Sequence, residues 1–330
     1  MKLHCVYPAV LLLAAAVSTI AQQETKTEDI VTVRKQAENG DAKAQFTLGA
    51  DYESGKGIKQ DYGEAVKWYQ KAADQGYTKA QCSLGSDYSD GQGVERDYAK
   101  AIKYFQKAAD KGDTGGQYNL GVLYAQGHGV AQSSQEAVKW YRKAADQGYD
   151  PAQCNLGLCY LQGTGLPQDY DEAIKFLRKA ADHGNANAQY NLGLCYVRGL
   201  GVQQNVAEAI KLFQKSADQG FAGGQCGLGI AFAQGSGVEQ DYAVAAKLFR
   251  QAAEQGFAEA QCNLGVFYDK GWGVKQDDAE AYVWFSLSAT SGNNDATRYR
   301  DIVAGKISPS ELQEGQRRVT AFVAKINTRD

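Results

Sequence analysis

The side chains with the most chemical capacity in this chain recur at a fixed distance. Asn119, Asn155 and Asn191 stand 36 residues apart, Asn263 falls two steps further on the same period, and Thr47, Ser83 and Gly227 take the remaining steps. A carboxamide carries two N–H donors and an acceptor oxygen, so asparagines in a row could hold the backbone of an extended peptide with little regard to its sequence. Cysteines keep the same period. Cys82, Cys154, Cys226 and Cys262 share one position, and Cys159 and Cys195 share another. Equivalent positions in neighbouring repeats lie a helix-packing step apart, about 8–10 Å or more, which exceeds the ~7 Å Cα limit for a disulfide. Free, packed thiols are therefore expected, with Cys154 and Cys195 the pair the spacing excludes least.

Reaction chemistry should break such regularity, and little does. The three histidines are His4, His128 and His183. His128 sits between two glycines and His183 just before one, at non-equivalent places, so they suggest neither a catalytic dyad nor a zinc site and read as solvated loop residues. No phosphate-loop, dinucleotide or zinc-protease motif occurs. The expectation is no catalytic residue, no metal and no cofactor. Lys and Arg number 35 against 38 Asp and Glu, a balance without the basic footprint of a nucleic-acid binder.

The elements that must carry the asparagines follow from the glycines. Glycine is abundant, 37 residues against 4 prolines, and it recurs rather than scattering as in a loop-rich chain. Aligned on glycine, the chain stacks without insertion into seven units: 41–76, 77–112, 113–148, 149–184, 185–220, 221–256 and 257–292. In the first unit Ala44, Leu48 and Tyr52 have helical spacing and end at Gly55-x-Gly57, where glycine permits a left-handed backbone. A second helix opens at Asp61 with Glu64 three residues on. Ser133 with Glu136, Asp169 with Glu172, Asn205 with Glu208 and Asp277 with Glu280 repeat the pattern, which predicts capping boxes. Gly49 and its counterparts through Gly265 fall in mid-helix, at a cost of about 1 kcal/mol each relative to alanine. Close packing against the pairs Trp68-Tyr69, Tyr104-Phe105, Trp140-Tyr141, Phe176-Leu177, Leu212-Phe213, Leu248-Phe249 and Trp284-Phe285 would offset that, and these pairs are expected in the core.

Both ends have their own character. Residues 1–21 read as a secretory signal, with Lys2, an apolar run around Ala9–Val17 and small residues before a cleavage point after Ala21. Export to the periplasm or the medium is expected, with no stable membrane insertion once the signal is cleaved. Residues 22–40 form a linker and a capping helix, and residues 293–330 form C-terminal capping helices. The latter start at Ser308-Pro309-Ser310-Glu311 and carry Leu312, Val319, Phe322, Val323 and Ile326 on one face.

The pattern Ala-Gln-x-x-Leu-Gly-x-x-Tyr, Gly-x-Gly, Asp, Ala-x-x-Trp-Tyr-x-Lys-Ala-Ala and closing Gly resembles the Sel-1-like repeat family, a relative of the tetratricopeptide repeat, over residues 41–292. The C-terminal cap is similar to that of bacterial members. The resemblance implies an all-α, right-handed α/α solenoid of seven 36-residue helix-turn-helix repeats with N- and C-terminal capping helices. It also implies a non-enzymatic scaffold or adaptor that binds a protein or peptide. By analogy with tetratricopeptide units, the residue before the conserved Leu points into the concave groove. That would place Asn119, Asn155, Asn191 and Asn263 there, beside Leu158, Leu194, Val122, Ile230 and Val266 and near Tyr118 and Tyr190. Two readings stay open: the asparagines line a peptide groove or are merely solvated, and the aliphatic row meets a partner or packs between repeats. One cysteine-rich secreted branch of the family has been linked to β-lactamase or penicillin-binding activity, so the alternative is a secreted enzyme or glycan binder acting on peptidoglycan or β-lactams. The cysteine placement differs here, and no Ser-x-x-Lys occurs to supply the usual nucleophile.

Overall fold

A computed structural model describes residues 30–327. The signal segment and the start of the linker lie outside the described residues. Among the described residues the secondary structure is helical, with no strand. The helices are α1 (Ile30–Glu38), α2 (Ala42–Ser54), α3 (Tyr62–Asp74), α4 (Thr78–Asp90), α5 (Tyr98–Asp110), α6 (Thr114–Gln126), α7 (Ser134–Asp146), α8 (Asp150–Gln162), α9 (Tyr170–Asp182), α10 (Ala186–Arg198), α11 (Val206–Asp218), α12 (Ala222–Gln234), α13 (Tyr242–Ala253), α14 (Ala258–Lys270), α15 (Asp278–Thr290), α16 (Asn294–Ala304) and α17 (Pro309–Asn327). From α2 to α15 even-numbered helices are the first of a repeat and odd-numbered ones the second. The described chain divides into two compact units, with the boundary in sequence between Gln204 and Asn205, between the two helices of the fifth repeat.

Within a repeat the mid-helix glycine is the contact point. An alanine Cβ at Gly49 would lie 2.6 Å from the Tyr69 ring, at Gly85 2.5 Å from Phe105, at Gly121 2.5 Å from Tyr141 and at Gly265 2.7 Å from Phe285. The ring fills the place of the missing side chain, and its dispersion contacts offset the helix-propensity cost. Three of the pairs, Phe176-Leu177, Leu212-Phe213 and Trp284-Phe285, are buried in both members, whereas the other four divide: Tyr69, Phe105, Tyr141 and Phe249 are buried, but Trp68, Tyr104, Trp140 and Leu248 are only half-buried. Successive residues on a helix turn by about 100°, so both members of a pair cannot face one partner helix. Lys71 and Lys143 cover the Trp68 and Trp140 rings at 3.7 and 3.9 Å.

Between repeats the second glycine of each Gly-x-Gly turn makes the joint. Its φ is positive, +67° at Gly93 and +64° at Gly273. The backbone there lies so close to the second helix of the preceding repeat that a Cβ would fall 2.3 Å from the Tyr62 carbonyl oxygen or 2.1 Å from that of Tyr242. Gly57, in the first repeat, meets nothing within 4 Å.

Capping follows the sequence in part. Asp61, Ser133, Asp169, Asn205 and Asp277 each accept from the N–H three residues on, as expected. The reciprocal half of the box is not formed. The Asp61 N–H bonds the Tyr52 carbonyl at 2.9 Å, and Ser133, Asp169 and Asp277 do the same with Tyr124, Tyr160 and Tyr268. With that donor taken, Glu64, Glu136 and Glu172 turn to the lysines one turn on, and Glu208 likewise pairs with Lys211. A complete box stands at the start of α17, where the Ser308 N–H donates to Glu311 at 2.7 Å and the Glu311 N–H donates to the Ser308 hydroxyl.

The end helices close their units. Val33 and Ala37 of α1 pack on Ala44 and Leu48. The α17 helix crosses α15, inserting Leu312, Val319, Phe322 and Val323 into the last core cluster, with Arg318 bonded to Glu280 at 2.6 Å. No helix among the described residues is long and apolar enough to cross a membrane.

Candidate functional site

The second residue of the Ala-Gln pair holds the frame in which the asparagines sit. Gln45, Gln81, Gln117, Gln153, Gln189 and Gln261 are buried, and each donates its side-chain amide to the carbonyl of an alanine in the preceding helix, from Ala37 at 3.1 Å to Ala253 at 3.1 Å. A buried amide must be bonded to offset its desolvation, so this column sets the angle between one repeat and the next. A second column answers it. Gln75, Gln147 and Gln255 donate to the side-chain oxygens of Gln45, Gln117 and Gln225 at 2.8, 2.8 and 2.9 Å.

On that frame the sequence-predicted site residues divide by exposure. In the unit that ends at Gln204, Asn119 and Leu158 are buried, at 7% and 9% exposure. Asn155, Asn191, Tyr118, Tyr190, Val122 and Leu194 are half-buried. In the other unit Asn263, Ile230 and Val266 are half-buried. The asparagine amides have partners inside the fold. The Asn119 side chain lies beside the Cys82 thiol and that of Asn263 beside the Cys226 thiol. The Asn155 amide reaches the Tyr118 hydroxyl at 3.5 Å, and the Asn191 amide donates to the Asn187 carbonyl and side-chain oxygens at 2.8 and 2.6 Å. Tyr118 is itself held by ring contacts with Tyr141 and Tyr149 at 5.8 and 5.5 Å. The arrangement therefore presents amide oxygens, phenol groups and aliphatic side chains, which suits recognition by contact.

Its thiols are not activated as nucleophiles. The six described cysteines are free. Burial pushes the thiols of Cys154 up to about 12, and of Cys159, Cys195 and Cys262 up to about 11, far from the thiolate that reacts. Of the two described histidines, His128 stacks on Tyr98 at 4.7 Å. His183 pairs with Asp150 at 2.6 Å, a hydrogen bond and a charge that raise its pKa. Among the described residues no group of three or more His, Cys, Asp or Glu side chains could hold a metal ion.

The sequence reading missed one buried acid. Asp51 and Asp87 occupy the position that holds Leu123, Cys159, Cys195, Ala231 and Phe267 in later repeats. Asp87 is 6% exposed and one of its oxygens has no hydrogen-bond donor among the described residues. Desolvation first, then the nearby charges of Glu53 and Asp90, push it up to about 8. The signal was visible as acids in an otherwise apolar column.

Helix pairs in tandem, each packed on its neighbour within a compact unit, define the class: all-α helical-repeat proteins of the solenoid kind. The Sel1 repeat family model matches residues 42–77, 78–113, 115–149, 150–185, 186–221, 222–257 and 258–293, and the chain belongs to this family. It is similar to a Sel1 repeat protein from Oxalobacter formigenes, with 35% identity over 83% of this chain and 80% of that one and a TM-score of 0.63. It is also similar to a protective antigen of uropathogenic Escherichia coli displaying an SLR fold, with 29% identity over 90% of this chain and 79% of that one and a TM-score of 0.53. No curated protein sequence matches the chain. Repeat proteins of this kind generally serve as non-catalytic scaffolds that bind proteins.

Proposed function

We propose that this chain is an exported, non-enzymatic scaffold that takes an extended peptide or protein segment against the first helices of repeats three to five. The observation that carries this reading is a row of aliphatic and phenolic side chains left half-buried beside a fully packed core. Tyr118, Val122, Tyr190 and Leu194 keep part of their surface open, while Leu120, Leu156 and Leu192, on the same helices, are at most 3% exposed. Apolar surface next to hydrogen-bonding groups suits a segment with alternating side chains. The half-exposed Asn155 and Asn191 stand at the same position of successive helices, where their side-chain oxygens can accept from a partner's N–H groups. Export rests on the signal-like first 21 residues.

The test is capture from an envelope and culture extract of the source organism, with identification by mass spectrometry. The chain is compared with the Asn155→Ala, Asn191→Ala double variant and with Leu194→Asp. A protein captured by the parent and lost at least several-fold by both variants, at unchanged helix content, supports the reading. Equal capture by the variants removes this face from the interface. Recovery of cell-wall fragments alone, or covalent labelling by a penicillin-type probe, would favour a glycan binder or enzyme instead.

A further inference from the structure

The first glutamine column is complete in all seven repeats, but the answering column is interrupted, and one interruption adjoins a cleft with defined chemistry. The answering column reads Gln75, Lys111, Gln147, His183, Gln219, Gln255 and Ser291. Where it holds glutamine in the first and sixth repeats, the amide bridges two acceptors. Gln75 donates to the Gly40 carbonyl at 2.9 Å and to Gln45 at 2.8 Å, and Gln255 donates to the Gly220 carbonyl at 3.0 Å and to Gln225 at 2.9 Å. Where it holds another residue, the side-chain oxygens of Gln81, Gln153 and Gln261 are buried without a donor among the described residues. In the second repeat Lys111 still reaches the Gly76 carbonyl, at 2.6 Å. In the fourth, His183 turns instead to Asp150. The cleft there is about 490 Å³, lined by Gly148, Gln153, Arg142, Lys175, Lys179 and His183, with the acids Asp146 and Glu172 also on its wall. Gln153 is 3% exposed, and its side-chain oxygen is buried beneath the cleft.

We propose that this cleft binds a small amino-carboxylate, such as a free α-amino acid. Its ammonium takes the place of the missing glutamine amide between the Gln153 oxygen and the Gly148 carbonyl, and its carboxylate meets the cations at the rim. A buried acceptor left unsatisfied is costly, which favours a ligand that brings a donor. Lys175 is already paired with Glu172 at 2.9 Å. Lys179 lies 5.7 Å from the Phe176 ring, and Arg142 bonds the Tyr160 hydroxyl through one nitrogen and keeps further N–H groups for an anion. The rim of the site lies on the second helices α7 and α9, with Gln153 of α8 at its floor, and none of its lining residues is among those of the peptide-binding face proposed above.

The experiment is a two-dimensional NMR titration of the full chain with glycine, and with acetate, glycolate and methylamine as probes lacking the ammonium, lacking it but retaining a hydroxyl, and lacking the carboxylate. Saturable glycine binding, with each control at least about tenfold weaker, is expected. His183→Gln restores the amide used elsewhere in the column and should fill the floor, weakening glycine at least tenfold while raising thermal stability. Lys179→Gln, which installs the residue found at Gln251, should weaken glycine without unfolding the chain. Absence of saturable glycine binding, acetate binding as tightly as glycine, or unchanged glycine affinity in His183→Gln would each overturn the proposal.

Discussion

The close approach at the Gly-x-Gly turns gives a graded prediction, because the same substitution meets three different surroundings. Gly57, Gly237 and Gly273 all have positive φ, +70°, +72° and +64°, so alanine at any of them incurs a similar left-handed penalty of about 1–2 kcal/mol. At Gly57 the added methyl meets nothing within 4 Å, and only that penalty applies. At Gly237 it meets the tip of Ile210 at 2.7 Å, a side chain that can rotate away. At Gly273 it falls 2.1 Å from the Tyr242 carbonyl oxygen and 2.6 Å from the Ala243 nitrogen. That is backbone, and relief requires the sixth and seventh repeats to part. Overpacking of this kind adds about 1–3 kcal/mol or more. At roughly 2–4 °C per kcal/mol for a unit of this size, Gly273→Ala should melt about 3–10 °C below Gly57→Ala, with Gly237→Ala between them. Thermal unfolding followed by circular dichroism measures all three. Equal shifts, or the order reversed, would refute the claim that the second glycine exists for the joint rather than for its own turn.

Other outcomes follow from the buried polar groups. Asp87 is neutral-favouring in the fold, at about 8 against an ordinary value near 3.8. Its contribution to stability is therefore present below about pH 4 and lost as pH rises toward 8; Asp87→Leu should stabilise the chain, and by more at pH 8.5 than at pH 5 in urea titrations. Gln117→Ala strips the bond to the Ala109 carbonyl and the partner of Gln147, so it should cost about 1–3 kcal/mol by denaturant unfolding. Because burial raises the Cys154 and Cys195 thiols, an aromatic disulfide reagent at pH 8 should label the native chain slowly and the urea-unfolded chain at once. Rapid labelling of either buried thiol in the native chain would contradict the packing described.

The repeat was legible because seven copies average out local accident: Leu48 and its counterparts, the turn glycines and the N-caps recur until the periodicity leaves one fold. What failed was pairwise detail. Glu64 looks like half of a capping box, but the donor it needs belongs to the Tyr52 carbonyl across the turn, a contact that no local spacing reveals. Trp68 and Tyr69 look equally apolar in sequence, yet only one can face the mid-helix glycine. The asparagine row was visible as a row, whereas the burial of Asn119 beside half-buried Asn155 and Asn191 was not. His183 read as a loop histidine because its own surroundings are unremarkable. Its meaning lies in the column 36 residues either side, where glutamine is the usual residue and its absence leaves Gln153 without a donor.

The joint glycines also bear on how such a chain can change length. From the second repeat on, each turn is fitted to the helix one repeat back, so a copy that is gained or lost whole brings both halves of a joint with it. A deletion of any other size would set a turn against the wrong carbonyl. Unequal recombination between near-identical copies would therefore lengthen or shorten this architecture in whole repeats, and variation within a copy would be confined to the faces that no joint touches.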